Sequence, residues 1–297
     1  MRPEVRAFFH SATSTLTYAV ADPVAKRAAV IDPALDYDPA AGHTGTRAAD
    51  EVIAYLREQG WTLDWILETH AHADHLSAAQ HFKRALGGKV AIGEGITAVQ
   101  RTFVKVFGLE GEVAADGSQF DHLFRDDEAF QVGGIAARVL HTPGHTDDGV
   151  TYLVGDAAFV GDTMFMPDGG TARCDFPGGD ARRLYRSLQR ILALPAATRL
   201  FMCHDYQPGG RELRYQATIA AQRAENLHLR GDAKGGTTED DFVAMREARD
   251  ATLGMPNLIV QSIQVNIRAG HLPEPGPNGV RYLKTPLDQL GKALVRK

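Results

Sequence analysis

Three histidines and an aspartate fall within six residues in the stretch His70-Ala71-His72-Ala73-Asp74-His75. Imidazole and carboxylate donors suit Zn, Fe, Mn or Ni better than Ca or Mg. On an extended loop His70 and His72 can turn two rings towards one ion, while Asp74 and His75 face a neighbouring position. The spacing is not the helical H-E-x-x-H of zincins, so the donors belong to a loop. A lone histidine is more often packed or solvated than ligating. An H-x-H-x-D-H run directly behind the apolar, strand-like residues 63–68 is a far more specific signal. Residues 77–86 beyond it read as a helix. The motif therefore sits at the C-terminal end of a strand, where function gathers in α/β proteins.

Three further strand ends deliver residues of the same kind. His141-Thr142-Pro143-Gly144-His145 closes the apolar run 135–140. Phe159-Val160-Gly161-Asp162 is a strand ending in aspartate, and Leu200-Phe201-Met202-Cys203-His204-Asp205 is one ending in histidine. Four strand ends in chain order, each bearing a potential metal donor, say more than any one of them.

The elements that must position these ends follow from turn and periodicity signals. Residues 16–21 and 27–31 read as a hairpin around Asp22-Pro23, followed by a polar, loop-like insert over 36–46. Residues 47–59 have helical periodicity, with Val52, Ile53 and Leu56 on one face and Gly60 as the stop. Residues 89–92 form a short strand, and Ile96, Val99, Phe103 and Val106 recur at helical spacing. Residues 108–124 read as a polar connection. Gly133-Gly134 and Gly155-Asp156 mark two more hairpins. Asp180 can cap a helix carrying Leu184, Leu188, Ile191 and Leu192. The β-rich, helix-punctuated order occurs twice, which predicts two halves packed sheet to sheet. Beyond a core of about 6–210 the pattern changes. Residues 211–227 read as a helix, 231–236 as a polar break, 238–251 as a capped short helix, and 255–297 as Pro- and Gly-rich with few regular patterns. This C-terminal extension, 211–297, is expected to wrap on the same single domain, 1–297.

Composition narrows the class. The 297 residues are 44% hydrophobic, enough for a sizeable core, and the net charge of −5 carries no basic stretch suited to nucleic acid. The two cysteines, Cys174 and Cys203, form no C-x-x-C pair, which argues against a thioredoxin-like centre or a disulfide-stapled secreted domain. The N-terminus has no apolar signal core, and no apolar run approaches the ~18 residues that span a bilayer. A soluble cytoplasmic enzyme is expected, without membrane or nucleic-acid partners, and a homodimer is its expected assembly.

The combination H-x-H-x-D-H, G-H, G-D and a late strand-end histidine resembles the metallo-β-lactamase superfamily. The resemblance implies an α+β fold, a four-layer αββα sandwich with metals at the sheet edges. The general superfamily pattern would put His70, His72 and His145 at one metal position, Asp74, His75 and His204 at another, and Asp162 between them. Residues 170–176 (Gly-Thr-Ala-Arg-Cys-Asp-Phe), His204-Asp205-Tyr206, Gly254-Met-Pro-Asn-Leu-Ile and Gln264-Val-Asn-Ile-Arg-Ala-Gly270 narrow the resemblance. They are similar to the persulfide dioxygenases, the ethylmalonic-encephalopathy-protein-like branch, in a bacterial subgroup with a longer tail. Mitochondrial members have Gly-Arg-Thr-Asp-Phe where this chain has Ala172-Arg173-Cys174-Asp175-Phe176.

That closer resemblance implies one Fe(II) per chain on His70, His145 and Asp162, a 2-His-1-carboxylate set that leaves positions open. His72, Asp74, His75 and His204 would then orient the ligands and relay protons. The implied reaction is oxidation of glutathione persulfide by O2 and water to sulfite and glutathione. Arg173, Tyr206 and Arg268 are candidates to hold the substrate, since arginine suits the glutathione carboxylates. Arg173 could instead pair with Asp175. Two other readings compete: a glyoxalase II-like binuclear hydrolase of glutathione thioesters, and a catalytically idle sensor on the same scaffold.

Overall fold

The computed structural model describes residues 2–230 and 236–291. The proposed break at 231–236 therefore lies, apart from Gly236, outside the described residues.

Two six-stranded sheets face each other. The first runs in the order β1 (Glu4–His10), β2 (Thr15–Asp22), β3 (Arg27–Ile31), β6 (Thr62–Leu67), β8 (Lys89–Gly93), β9 (His122–Phe124). The second is β10 (Ala129–Val132), β11 (Ile135–His141), β12 (Val150–Val154), β13 (Ala157–Phe159), β14 (Arg199–Phe201), β15 (Gln216–Thr218). Their inner faces bury one apolar layer, with Leu16, Tyr18, Val20 and Ile31 from the first sheet against Val139, Tyr152, Phe159 and Phe201 from the second. Tyr18 meets Phe159 and Phe201 edge-on at 5.3 and 5.5 Å. Its hydroxyl donates to the Met202 carbonyl, two residues before His204.

Helices cover both outer faces. On the first sheet lie α1 (Arg47–Gln59), α2 (Ala79–Leu86), α3 (Ile96–Phe107) and α7 (Ile259–Asn266), through Val52, Leu56, Phe82, Phe103 and Ile263. On the second lie α4 (Ala181–Leu192), α5 (Ile219–Glu225) and α6 (Glu239–Asp250), through Leu184, Leu188, Ile219 and Phe242. The result is the α+β four-layer αββα sandwich. Gly60 ends α1 in the left-handed conformation, and Asp180 caps α4 by accepting from Arg183 N, as the sequence predicts. Among the described residues no helix is long and apolar enough to cross a membrane.

Four expectations are corrected. The insert at 36–46 is not a loop: β4 (Ala34–Asp38) pairs with β5 (His43–Gly45) and with β7 (Leu76–Ser77), so it pins the chain immediately after His75. The connection 108–124 ends in the edge strand β9, paired with β8. Residues 211–227 are not one helix, because 216–218 give their backbone bonds to β14 and Arg211 is held by Asp168 and Asp205. The tail is not irregular throughout: α7 packs into the first helical layer.

Candidate metal centre

The four strand-end motifs converge at one edge of the sandwich. Donor atoms of His70, His145 and Asp162 lie within 4.8 Å of one another, as do those of His72, Asp74 and His75. His204 Nε2 stands 3.3 Å from both Asp74 Oδ2 and Asp162 Oδ1, joining the two groups. His72 lies between the two groups: its donor atom is within 4.8 Å of those of Asp74 and His75, and its ring centroid is 4.0 Å from that of His70.

Each ring is held by its other nitrogen. His70 Nδ1 donates to Thr69 Oγ1 at 3.1 Å, and that hydroxyl donates to Asp32 Oδ2 at 2.9 Å. His145 Nδ1 donates to the Arg173 carbonyl at 2.7 Å, His75 Nδ1 to the Leu76 carbonyl at 3.1 Å and His204 Nδ1 to the Ser14 carbonyl at 3.1 Å. These bonds place the Nδ1 protons and leave the Nε2 lone pairs facing inward. His72 is reversed: Nε2 meets Asp32 Oδ1 at 2.9 Å and Glu68 Oε2 at 3.5 Å.

The buried atoms left without hydrogen bonds include Nε2 of His70, His75 and His204, Nδ1 of His72 and Oδ1 of Asp162. Burying such groups unpaired is costly, and five of them gathered in these adjoining groups fit bound metal. Burial, together with the neighbouring His72 and His145 rings, holds His70 well below the ordinary histidine range. Burial, followed by the nearby His72 ring, lowers His75 to about 3. Both rings therefore stay neutral, as a ligating imidazole must be. Burial works against charge on His72 and His204 as well. It is outweighed by Asp32 at His72 and chiefly by Asp162 at His204, so both are raised.

Two glycines make the convergence possible. Gly161 has φ +52°, and a Cβ there would meet Thr69 Oγ1 at 2.6 Å, so the Asp162 turn can press against the His70 support only as glycine. Gly144, at φ +134°, lies on the backbone of Leu184, and its carbonyl accepts from Asp180 N at 2.8 Å. The start of α4 thereby anchors the turn that carries His145.

A cavity of about 450 Å³ opens over the centre, lined by Asp74, His145, Asp162, Phe165, Arg173 and Tyr206 and roofed by Arg249, Met255 and Leu258 of the C-terminal part. Arg173 lines it but is already bidentate to Asp175, donates to the Gly254 carbonyl at 2.6 Å and lies over the Phe176 ring. Tyr206 is exposed at the mouth, stacked on His204 at 5.5 Å. Arg268 is not brought to the cavity: it is buried, donates to the Gln264 carbonyl at 2.5 Å and faces Glu112 at 3.6 Å. The expected substrate contact by Arg268 is thereby corrected, because the side chain is spent within its own helix layer. Burial pushes the Cys174 and Cys203 thiols up, so neither is a ready thiolate.

Asp32 was missed in the sequence. It follows β3 at φ +51° and accepts from Thr69 N, Thr69 Oγ1 and His72 Nε2. An aspartate directly behind the apolar run Ala28-Ala29-Val30-Ile31 was a fifth strand-end signal of the kind already noted. Arg246 was also missed; it is buried in α6, paired with Asp250 and bonded to the Thr171 carbonyl beneath the cavity.

Comparison with known proteins agrees with this geometry. Residues 12–204 match the family model of the metallo-beta-lactamase superfamily. The chain is 54% identical to a probable metallo-hydrolase of Burkholderia pseudomallei, over 96% of this chain and 99% of that protein. It is 52% identical to a beta-lactamase hydrolase-like protein of Xylella fastidiosa, over 97% of this chain but 65% of that longer protein. Among solved structures it is similar to ETHE1 from Myxococcus xanthus, with TM-score 0.71 and 28% identity, covering 90% of this chain and 100% of the other. A four-layer sandwich, donors at one sheet edge and a family match over most of the chain agree: this protein belongs to the metallo-beta-lactamase superfamily.

Proposed function

We propose that this protein is an Fe(II)-dependent persulfide dioxygenase, with one iron per chain, that converts glutathione persulfide, O2 and water to glutathione, sulfite and two protons. The outer persulfide sulfur is oxidised, O2 takes up the four electrons, and the S–S bond breaks to return the thiol. The observation that carries this reading is the grouping of His70, His145 and Asp162, whose donor atoms lie within 4.8 Å of one another. It is a 2-His-1-carboxylate set, the donor pattern of non-haem iron oxygenases. The likeness to ETHE1 from Myxococcus xanthus supports the same reading. Iron held there supplies the redox chemistry with dioxygen that zinc lacks.

The chain's own residues supply the rest. Thr69, Arg173 O and Asp32 fix the ligand rings. His204 and Asp74, 3.3 Å apart, stand where protons leaving the substrate and water must go. Phe165, Phe176 and Met255 line the cavity with apolar surface, while Arg173 and Tyr206 edge its mouth.

A second reading has support of its own. His72, Asp74 and His75 form a second group of donors, with His204 Nε2 3.3 Å from Asp74, and two relatives carry hydrolase names. A binuclear centre would hydrolyse a glutathione thioester without oxygen. Offering glutathione persulfide and lactoylglutathione to the same iron-loaded protein, aerobically and anaerobically, separates the two. Oxygen-dependent sulfite from the persulfide alone supports the dioxygenase; anaerobic thioester turnover with two metals per chain overturns it.

A further inference from the structure

The segment Gln264–Gly270 has no place in the chemistry above, yet it is tied to the metal loop at several points. Asn266, the last residue of α7, is buried, and its side-chain amide spends every polar atom on the H-x-H-x-D-H stretch and Ser77 just beyond it. Nδ2 donates to the His72 carbonyl and to the His75 carbonyl, both at 2.8 Å. Oδ1 accepts from Ser77 N at 2.8 Å. One NH2 group thus closes the arc His72-Ala73-Asp74-His75 from beneath. The chain around Asn266 is itself locked: Gln80 Nε2 donates to the Ala269 carbonyl at 2.8 Å and Gln100 Nε2 to the Ile267 carbonyl at 2.9 Å.

The consequence is geometric. Carbonyls 72 and 75 point at one amide, so the peptides between them cannot rotate independently. Those peptides set where Asp74 stands relative to His204, at 3.3 Å, and where the unpartnered His75 Nε2 points. Removing the amide would orphan two buried carbonyls and a buried N–H and free the arc.

Resting on the reading of this cluster as a metal centre, we propose that Asn266 is a positioning residue for it, so that a helix beginning 55 residues beyond the family match at 12–204 completes the site. It touches no ligand atom of the centre; it acts through the backbone of His72 and His75.

The test uses Co(II) as a spectroscopic probe on the full-length metal-free chain. Wild type, Asn266→Ala and Gln80→Ala are titrated against a competing chelator, with the d–d absorption and the thermal midpoint of each recorded. Gln80→Ala removes a neighbouring tether of the same segment without touching the arc. Asn266→Ala is expected to weaken Co(II) binding by about tenfold or more, the usual range for a residue that orients ligands, and to change the d–d spectrum. Gln80→Ala is expected to lower the midpoint while leaving affinity and spectrum at wild type. A lowered midpoint in Asn266→Ala with wild-type affinity and spectrum would overturn the proposal, leaving Asn266 a residue of general stability. If Asn266→Ala does not fold, Asn266→Ser, which keeps a hydroxyl for one carbonyl, is judged by the same criteria. Failure of both to fold assigns Asn266 to folding and also overturns it. Failure of the wild type to bind Co(II) would instead sink the metal reading beneath it.

Discussion

At the residue scale the site depends on which nitrogen of each ring is free. His70 presents Nε2 because Thr69 takes its Nδ1 proton, and Thr69 can do so because Asp32 accepts its own hydroxyl proton at 2.9 Å. Replacing Thr69 by Val removes that middle link at constant shape. Metal affinity, read by chelator competition, is expected to fall about 10- to 100-fold. Asp162→Ala removes the only carboxylate of the proposed iron set; iron content and oxygen uptake should both fall to background. Retained activity in that variant would contradict the ligand assignment. The local part of this chemistry was legible because H-x-H-x-D-H keeps its donors within one stretch of chain. Asp32 was not, because its role arises from parallel pairing of β3 with β6, which brings residue 32 beside residue 69 through the bond from Asp32 N to the Leu67 carbonyl at 2.9 Å. Arg268 was misplaced for the opposite reason. Its chemistry suits a carboxylate, but the docking of α7 turns it inward to Gln264 O and Glu112.

At the scale of elements, α6 forms one wall of the cavity through a buried ion pair. Arg246 gives two hydrogen bonds to Asp250 and one to the Thr171 carbonyl, and Asp250 Oδ2 accepts from Cys174 N at 2.7 Å. Arg246→Ala leaves Asp250 buried and unpaired, with an expected loss of about 3–5 kcal/mol measured by chemical denaturation. His228 sits against the same wall, its Nδ1 accepting from Thr171 N at 2.9 Å. Burial, with repulsion from Arg246 and Arg249, lowers it from 6.5 to about 4. Between those two pH values the unfolded chain carries a proton that the folded one lacks, so stability from this group is lost as the pH falls through that window. The melting temperature of the metal-free protein should drop across it, and His228→Asn should flatten the drop; an unchanged slope would contradict the assignment. Elements with strong periodicity were legible: Arg47–Gln59 and the cap at Asp180 stand where turn and capping chemistry put them. Residues 36–46 and 211–227 were not, because polar side chains hide strands whose partners, β7 and β14, lie elsewhere in the chain.

At the scale of the whole molecule, the two sheets are a platform that brings four loops to one edge. The seam beneath that edge is the aromatic packing of Tyr18, Phe159 and Phe201. Phe159→Ala is expected to cost about 3–5 kcal/mol. It should weaken metal retention too, since β13 leads directly into Gly161-Asp162. The sheet-on-sheet plan was legible from the doubled β-rich order and the repeated strand-end donors. The distribution of the last third was not: α5 and α6 join one outer layer and α7 the other, through contacts across the chain that no local pattern records. The most direct test of the account is a single oxygen-electrode trace. Protein loaded with iron anaerobically is given glutathione persulfide, and O2 uptake is compared with sulfite formed. The account predicts rapid uptake with one sulfite per O2. No uptake with iron confirmed in place, or uptake without sulfite, would contradict it.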